Sequence, residues 1–308
     1  MENLQTHISN YLSFCQNQKR LDEKTLKAYR IDLKQFAQKI GASDISLIQS
    51  GNLEAFIATL HTSCKPKTVK RKIASLKAFY HYLLYREVIE RNPFDKIQVK
   101  FREPVILPKT IPLSTVELFL ATMYKQRTAA KTLHKKRNAL RDIAVIELLF
   151  ASGMRISELC GLKQADINLP EKTILIYGKG SKERRIQIGN NDVVNILDEY
   201  NQEYRKEIES CCHFFVNHRN RPLSDQAVRR MINKYTDLAA ISLHITPHMF
   251  RHTFATSLLE ADVDIRYIQE MLGHSSINIT EIYTYVHVTL SKQRDILTTK
   301  HPRKDFKL

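Results

Sequence analysis

No uninterrupted apolar stretch in the 308-residue chain approaches the roughly 20 residues a helix needs to cross a bilayer. The opening segment, Met1 to Asn10, lacks the basic-then-apolar order of an export signal. A soluble, unexported, cytoplasmic protein is expected. Cysteine is sparse: Cys15, Cys64, Cys160, Cys211 and Cys212 are odd in number and show no Cys-x-x-Cys spacing. That points away from a disulfide framework or a cysteine zinc cage and fits a reducing compartment. Internal repeats and low-complexity tracts are also missing. Acidic residues are scarce, 32 against 48 Lys plus Arg, for a net charge of +16. With 43% hydrophobic and 26% charged residues the chain is globular and long enough for two cores, which excludes disordered and collagen-like proteins. Such a basic balance favours a polyanionic partner, and nucleic acid is the commonest one.

Prolines at 104, 108 and 112 mark a joint, each removing an amide donor and biasing its predecessor toward extended backbone. The expected organisation is a first domain over 1–103, a linker over 104–112 and a second domain over 113–308. The positive excess divides evenly between the two halves, so both can touch the polyanion. In the first half, Leu4, Ile8, Tyr11 and Leu12 form one helical stripe. Leu26, Tyr29, Leu33, Phe36 and Ile40 form another after Asp22, a plausible N-cap. Leu53, Phe56, Ile57 and Leu60 suggest a short third helix. A fourth, Pro66 to Tyr85, carries an apolar face (Val69, Ile73, Leu76, Phe79, Tyr80, Leu83) and a basic one. The basic residues are Lys67, Lys70, Arg71, Lys72 and Lys77, and no acid occurs between Lys65 and Arg86. Such a strip is either a solvated face or a phosphate-facing one.

The second half is mixed. A long apolar helix over Arg137 to Cys160 breaks near Gly153, and Thr173 to Tyr177 with Arg184 to Ile188 reads as a β-hairpin turning through Gly178-Lys179-Gly180. Helices follow at about 191–208, 224–239, 247–260 and 264–272.

Several short motifs could carry chemistry. Thr246-Pro247-His248 reads as a helix start with Thr246 as N-cap, so His248 and Arg251 share a face at the positive end of the helix dipole, suited to an anionic oxygen. His248 and His252 at i, i+4 resemble a zinc pair, but Met249 stands where the metalloprotease pattern needs Glu, and no metal is expected. The Lys179 turn fails as a nucleotide-phosphate loop, because Thr173 and Gly180 occupy the positions of its first glycine and its hydroxyl residue. Alone, Lys179 fits a solvated turn, the pair Arg155 and Glu158 fits a structural ion pair, and Gly273-His274 fits an ordinary helix end. Tyr283, nine residues beyond His274, fits a packing role. Together, two arginines, a lysine, two histidines and a tyrosine are the parts needed to cleave a phosphodiester without metal.

In order and spacing these motifs resemble the tyrosine recombinase, or phage-integrase, family, with Xer-type members the nearest likeness. The resemblance spans nearly the whole chain. It implies a two-domain fold: an all-α, SAM-like core-binding domain that grips DNA, then a mixed α/β, mainly helical catalytic domain with a small β-sheet. It further implies Arg155, Lys179, His248, Arg251, His274 and the nucleophile Tyr283 as catalytic residues, with Glu158 supporting; the one-sided charge of the fourth helix makes Lys67, Lys70, Arg71, Lys72 and Lys77 the candidate DNA contacts. The implied reaction is site-specific recombination through a 3′-phosphotyrosyl ester and a Holliday junction, with no cofactor, metal or ATP. The implied partners are double-stranded DNA sites and a homotetramer on two duplexes, or a mixed assembly with a paralogous recombinase, near the nucleoid. Val286 to Leu297 and the tail His301 to Leu308 are candidates for docking onto a neighbouring copy. Tyr285 adds a second phenol near the nucleophile, but helical spacing turns the two apart by about 200°, and the distance from His274 selects Tyr283. The basic stretch Lys125 to Arg137 is either an added DNA contact or a solvated loop. Two other readings share parts of the pattern: a type IB topoisomerase-like relaxation enzyme, and a DNA-binding regulator that has lost catalysis.

Overall fold

The computed structural model describes residues 3–41, 45, 48–98, 108–178 and 183–273. It divides into two compact units, Met1–Val105 and Ile106–Leu308.

Among its described residues the first unit has helices and no strand. Helices α1 (Leu4–Asn17), α2 (Glu23–Ile40), α3 (Ser50–Ser63) and α4 (Pro66–Tyr85) are followed by a 3-10 turn at Pro93–Lys96. Local chemistry sets their starts. The Asp22 carboxylate accepts from the Thr25 amide at 2.9 Å, and Pro66 opens α4 with the ring that suits a first helical turn. The predicted stripes then pack: Leu33, Phe36, Leu53, Val69, Leu76, Phe79 and Leu83 are all within 1% of full burial, each contributing about 1.5–3 kcal/mol.

One expected DNA contact needs correction. Lys72 is 6% exposed, and its ammonium donates to buried Asp32 of α2 at 3.0 Å and to Gln35. Arg71 also pairs with Asp32, and the Ser75 hydroxyl donates to it at 3.3 Å. Because α4 turns 100° per residue, position 72 falls beside Ile73 and Leu76 on the inward side, where a cation requires an anion. Lys72 therefore locks α4 to α2. Lys67, Lys70, Arg71 and Lys77 remain on the exposed side.

The second unit begins with α5 (Leu113–Thr128) and α6 (Leu133–Ser152), then α7 (Ile156–Gly161). A three-stranded antiparallel sheet follows, β1 (Ile167–Asn168), β2 (Thr173–Tyr177) and β3 (Glu183–Gln187), in the order β1-β2-β3. Helices α8 (Asn191–Glu203), α9 (Arg205–Cys211), α10 (Asp225–Leu238), α11 (Pro247–Glu260) and α12 (Ile265–Leu272) complete its described part. Helix α6 is the centre of the core: Ile143, Ala144, Val145, Ile146, Leu148 and Leu149 are fully buried, and α5, α8 and α11 pack around it. A helix apolar on most sides is buried on most sides.

The basic stretch Lys125 to Arg137 is mostly helical rather than a loop, divided between the end of α5 and the start of α6. Two of its cations serve packing. Arg127 pairs with Glu199 of α8, while Arg137 meets Glu203 and Glu207 at 2.9 and 2.7 Å and lies over the Tyr204 ring. Lys125, Lys131, Lys135 and Lys136 are exposed.

Candidate active site

The α6 helix stops where its sequence reaches Gly153, whose φ of +59° is left-handed. A side chain here would be strained by its backbone and would run into the Phe254 ring. The turn sends the chain directly into Arg155, the N-cap residue of α7. Glu158, three residues on, folds back to accept from the Arg155 amide and from its Nη1, both at 2.8 Å. The expected ion pair exists, and it is part of a larger arrangement.

That arrangement is built on the C-terminal end of α12. The last carbonyls of a helix have no partner within it and carry the negative end of the dipole, so cations gather there. Here three consecutive carbonyls each take a different arginine. Arg184 Nε donates to Met271 O at 3.0 Å, Arg251 Nη2 to Leu272 O at 2.7 Å, and Arg155 Nη2 lies 3.4 Å from Gly273 O. Arg251, only 3% exposed, also donates through Nη1 to Gly153 O at 2.7 Å, which joins the two glycine turns. Residues far apart in sequence thus meet around one helix end and present guanidinium groups there.

Helix α11 brings His248 to the same cluster. Pro247 opens the helix as expected, but the Thr246 side chain makes no capping hydrogen bond, although its backbone has the extended N-cap conformation. Partial burial, then the positive charges of Arg229, Arg251 and Arg155, hold the His248 imidazole below its ordinary value. One turn on, burial and the neighbouring His248 and Arg251 lower His252 to about 4. The two rings lie 6.5 Å apart. Burial alone would raise the Glu158 carboxyl, but hydrogen bonds from Arg184 and the Arg155 amide outweigh it and hold the group below its usual range.

Of the residues expected at the site, Arg155, Glu158, His248 and Arg251 are therefore brought together. Lys179, His274 and Tyr283 lie outside the described residues, as do Tyr285 and the C-terminal segments from Val286 onward. Arg184 and Arg229 also belong to the cluster, and no contiguous sequence motif marks either of them. A signal for Arg184 was present. In β3 the alternation Arg184-x-Ile186-x-Ile188 puts an arginine on the face whose other members are apolar, and such a charge needs a buried anion.

The chain is similar to known proteins over nearly its whole length. The phage integrase family model matches residues 123–289, and the model of the phage integrase N-terminal SAM-like domain matches residues 8–87. A tyrosine recombinase of Agathobacter rectalis is 68% identical over 306 residues, covering 99% of both chains. Tyrosine recombinase XerC of Anoxybacillus flavithermus is 32% identical over 312 residues, covering 98% of this chain and all of that one. Among solved structures, XerH site-specific recombinase bound to palindromic difH substrate in a post-cleavage complex superposes with a TM-score of 0.75 at 22% identity. The superposition covers 94% of this chain and 84% of that one, and it establishes the shared fold. With the family model over more than half its length and a close relative over nearly all of it, the chain belongs to the phage integrase family, the tyrosine recombinases, and is a site-specific DNA strand transferase with Xer-like relatives.

Proposed function

We propose that Tyr283 is the nucleophile of this recombinase and that the arginine cluster at the end of α12 receives the scissile phosphate of duplex DNA. The Tyr283 phenol oxygen attacks phosphorus and the bond to the 5′-oxygen breaks, leaving a 3′-phosphotyrosyl ester. His248 accepts the phenol proton and Lys179 donates one to the departing 5′-oxygen, which leaves as a hydroxyl. Arg155, Arg251 and His274 stabilise the added negative charge on the non-bridging oxygens. A 5′-hydroxyl from the partner duplex then attacks the ester and releases Tyr283. Ester replaces ester at each step, so the exchange proceeds without ATP.

The observation that carries this reading is the convergence of Arg155 and Arg251 on adjacent carbonyls of one helix end, with His248 beside them. An imidazole held below its ordinary value is neutral at about pH 7, the state in which it can take a proton. Exposed Lys67, Lys70, Arg71 and Lys77 on α4 supply phosphate contacts from the first unit. Two rounds of exchange require four active sites on two duplexes, met by a homotetramer or by a mixed assembly with a paralogous recombinase. The protein acts in the cytoplasm on its own target sites, as the integrase of a mobile element or as an Xer-type resolvase.

The test uses duplexes selected by the protein from a random-sequence pool, then nicked beside the cleavage position so that the released 5′-hydroxyl fragment diffuses away. The wild-type chain accumulates covalent complex. Tyr283→Phe accumulates none while its DNA Kd stays within about threefold, since one hydroxyl is lost. Trapping retained in Tyr283→Phe and lost in Tyr285→Phe would overturn the assignment. Supercoil relaxation without strand exchange would favour the topoisomerase reading instead.

A further inference from the structure

Arg184 sits on the inward face of β3, paired in register with Ile176 of β2 and two residues before buried Ile186. Its side chain is 10% exposed, and both terminal nitrogens reach Glu158, Nη1 to Oε1 at 3.0 Å and Nη2 to Oε2 at 2.7 Å. Glu158, itself 6% exposed in its side chain, already accepts from the Arg155 amide and Nη1. Four donors saturate the acceptor sites of one carboxylate. With Arg155 as its sole partner, Glu158 would form a neutral pair, and Arg155 would meet a phosphate with its charge already matched. With Arg184 on the same carboxylate, the trio holds two cations and one anion. Arg155, the most exposed of the three at 36%, presents the surplus charge outward.

The same guanidinium also fixes the helix end. Arg184 Nε donates to Met271 O, next to the carbonyls taken by Arg251 and Arg155. Gly273 closes α12 at a φ of +62°, and a Cβ there would stand 2.8 Å from Arg184 Nη1. The close approach therefore depends on glycine.

We propose that Arg184 is a positioning residue for strand cleavage: it neutralises Glu158 and pins the end of α12, and so leaves the positive charge of Arg155 uncompensated toward the scissile phosphate. The inference rests on the role given to Arg155 above. It distinguishes Arg184 from a packing residue, because an effect that acts through charge depends on the charge of the phosphate.

Single-turnover formation of covalent complex on the selected, nicked duplexes is the measurement, with either a normal phosphodiester or a neutral methylphosphonate at the cleavage position. Arg184→Gln should slow the phosphodiester reaction by about tenfold or more and the methylphosphonate reaction by less than about threefold. Arg184→Lys keeps the charge beside Glu158 and should hold the phosphodiester rate within about threefold of wild type; slowing as large as that of Arg184→Gln would mean that geometry, not charge, is what Arg184 supplies. If the Gln variant does not fold, Arg184→Met, which removes the charge without burying an amide, takes its place on the same criteria. Adding Glu158→Gln to Arg184→Gln removes one anion and one cation together, and should speed cleavage at least about threefold over Arg184→Gln. Equal slowing of the charge-removing variant on both substrates, no slowing of that variant on the phosphodiester, or no gain in the double variant would overturn the inference while leaving the reading of the site intact. Failure of the wild-type chain to form covalent complex would instead remove that reading, and this inference with it.

Discussion

At the scale of single residues, the site is a small number of charges held by geometry that water cannot easily replace. Arg155 is half-open and bonded weakly to Gly273 O, whereas Arg251 is buried and bridges two turns. Their substitutions should therefore differ. In the proposed mechanism Arg155→Ala removes a donor to the developing oxyanion and should cost on the order of 3 kcal/mol in barrier, about a hundredfold in rate; because Glu158 keeps Arg184, its melting temperature should fall less than that of Arg251→Ala. Arg251→Ala should lose comparable activity and stability as well, because buried Gly153 O and Leu272 O lose a charged partner. Single-turnover cleavage and thermal melts separate the two outcomes, and an effect below about threefold for Arg155 would make it structural. The imidazoles of α11 also set a pH dependence. With His252 at about 4 folded against 6.5 ordinarily, the unfolded chain binds more protons between those values. Stability is fully present above 6.5, falls as the pH drops toward about 4, and levels off below it for this group. His248, lowered in the same direction, adds to the loss. The depressed Glu158 carboxyl contributes a further loss that begins near 4.5 and continues through its lower folded value. Melting temperatures measured across this range should fall with acidification, and His252→Gln should flatten the upper part of the decline.

At the scale of elements, most of the architecture was legible because it follows from period and caps. The stripe on α4 matches its helix from Pro66 to Tyr85, and the α6 break at Gly153 falls where a left-handed residue is cheapest. What escaped has physical causes. Helix α5 buries Val116, Phe119 and Met123 but leaves Leu113 and Leu118 exposed, so its stripe is blurred. Strand β1 has two residues and no period of its own. The stretch from Asn191 has the pattern of one helix, yet it splits at Tyr204, which closes α8 and opens α9. At the site, spacing points to Arg155, Glu158, His248 and Arg251 because each sits in a contiguous motif. Arg184 escapes such a search because its meaning comes from the strand face it occupies, which is fixed by the pairing with β2. Helices α2 and α4 are held together by a buried ion-pair lock. Asp32→Ala leaves the buried Lys72 ammonium without its carboxylate and should destabilise the first unit by about 3–5 kcal/mol. Adding Lys72→Met should restore much of that loss, as read from denaturant unfolding. No recovery would mean that the lock matters for packing rather than charge.

At the scale of the whole molecule, a net charge of +16 now has places to act. Exposed Lys67, Lys70 and Lys77 lie on one helix without acidic neighbours in its sequence, while Lys72, Arg127 and Arg137 are engaged internally. Reversing Lys67 or Lys77 to Glu should weaken DNA binding uniformly across sequences and lower the salt slope by about one unit for each phosphate that is no longer neutralised. Lys72→Glu should unfold the first unit instead, since two carboxylates would then face each other in its interior. Binding titrations at several salt concentrations check the first outcome and circular dichroism the second. The mechanism as a whole turns on where DNA becomes attached. Proteolysis of the trapped complex, followed by mass determination of the nucleotide-bearing peptide, reads that directly. The adduct should lie on Tyr283 through a 3′-phosphate. An adduct on Tyr285 or any other side chain, or attachment through a 5′-phosphate, would contradict the mechanism.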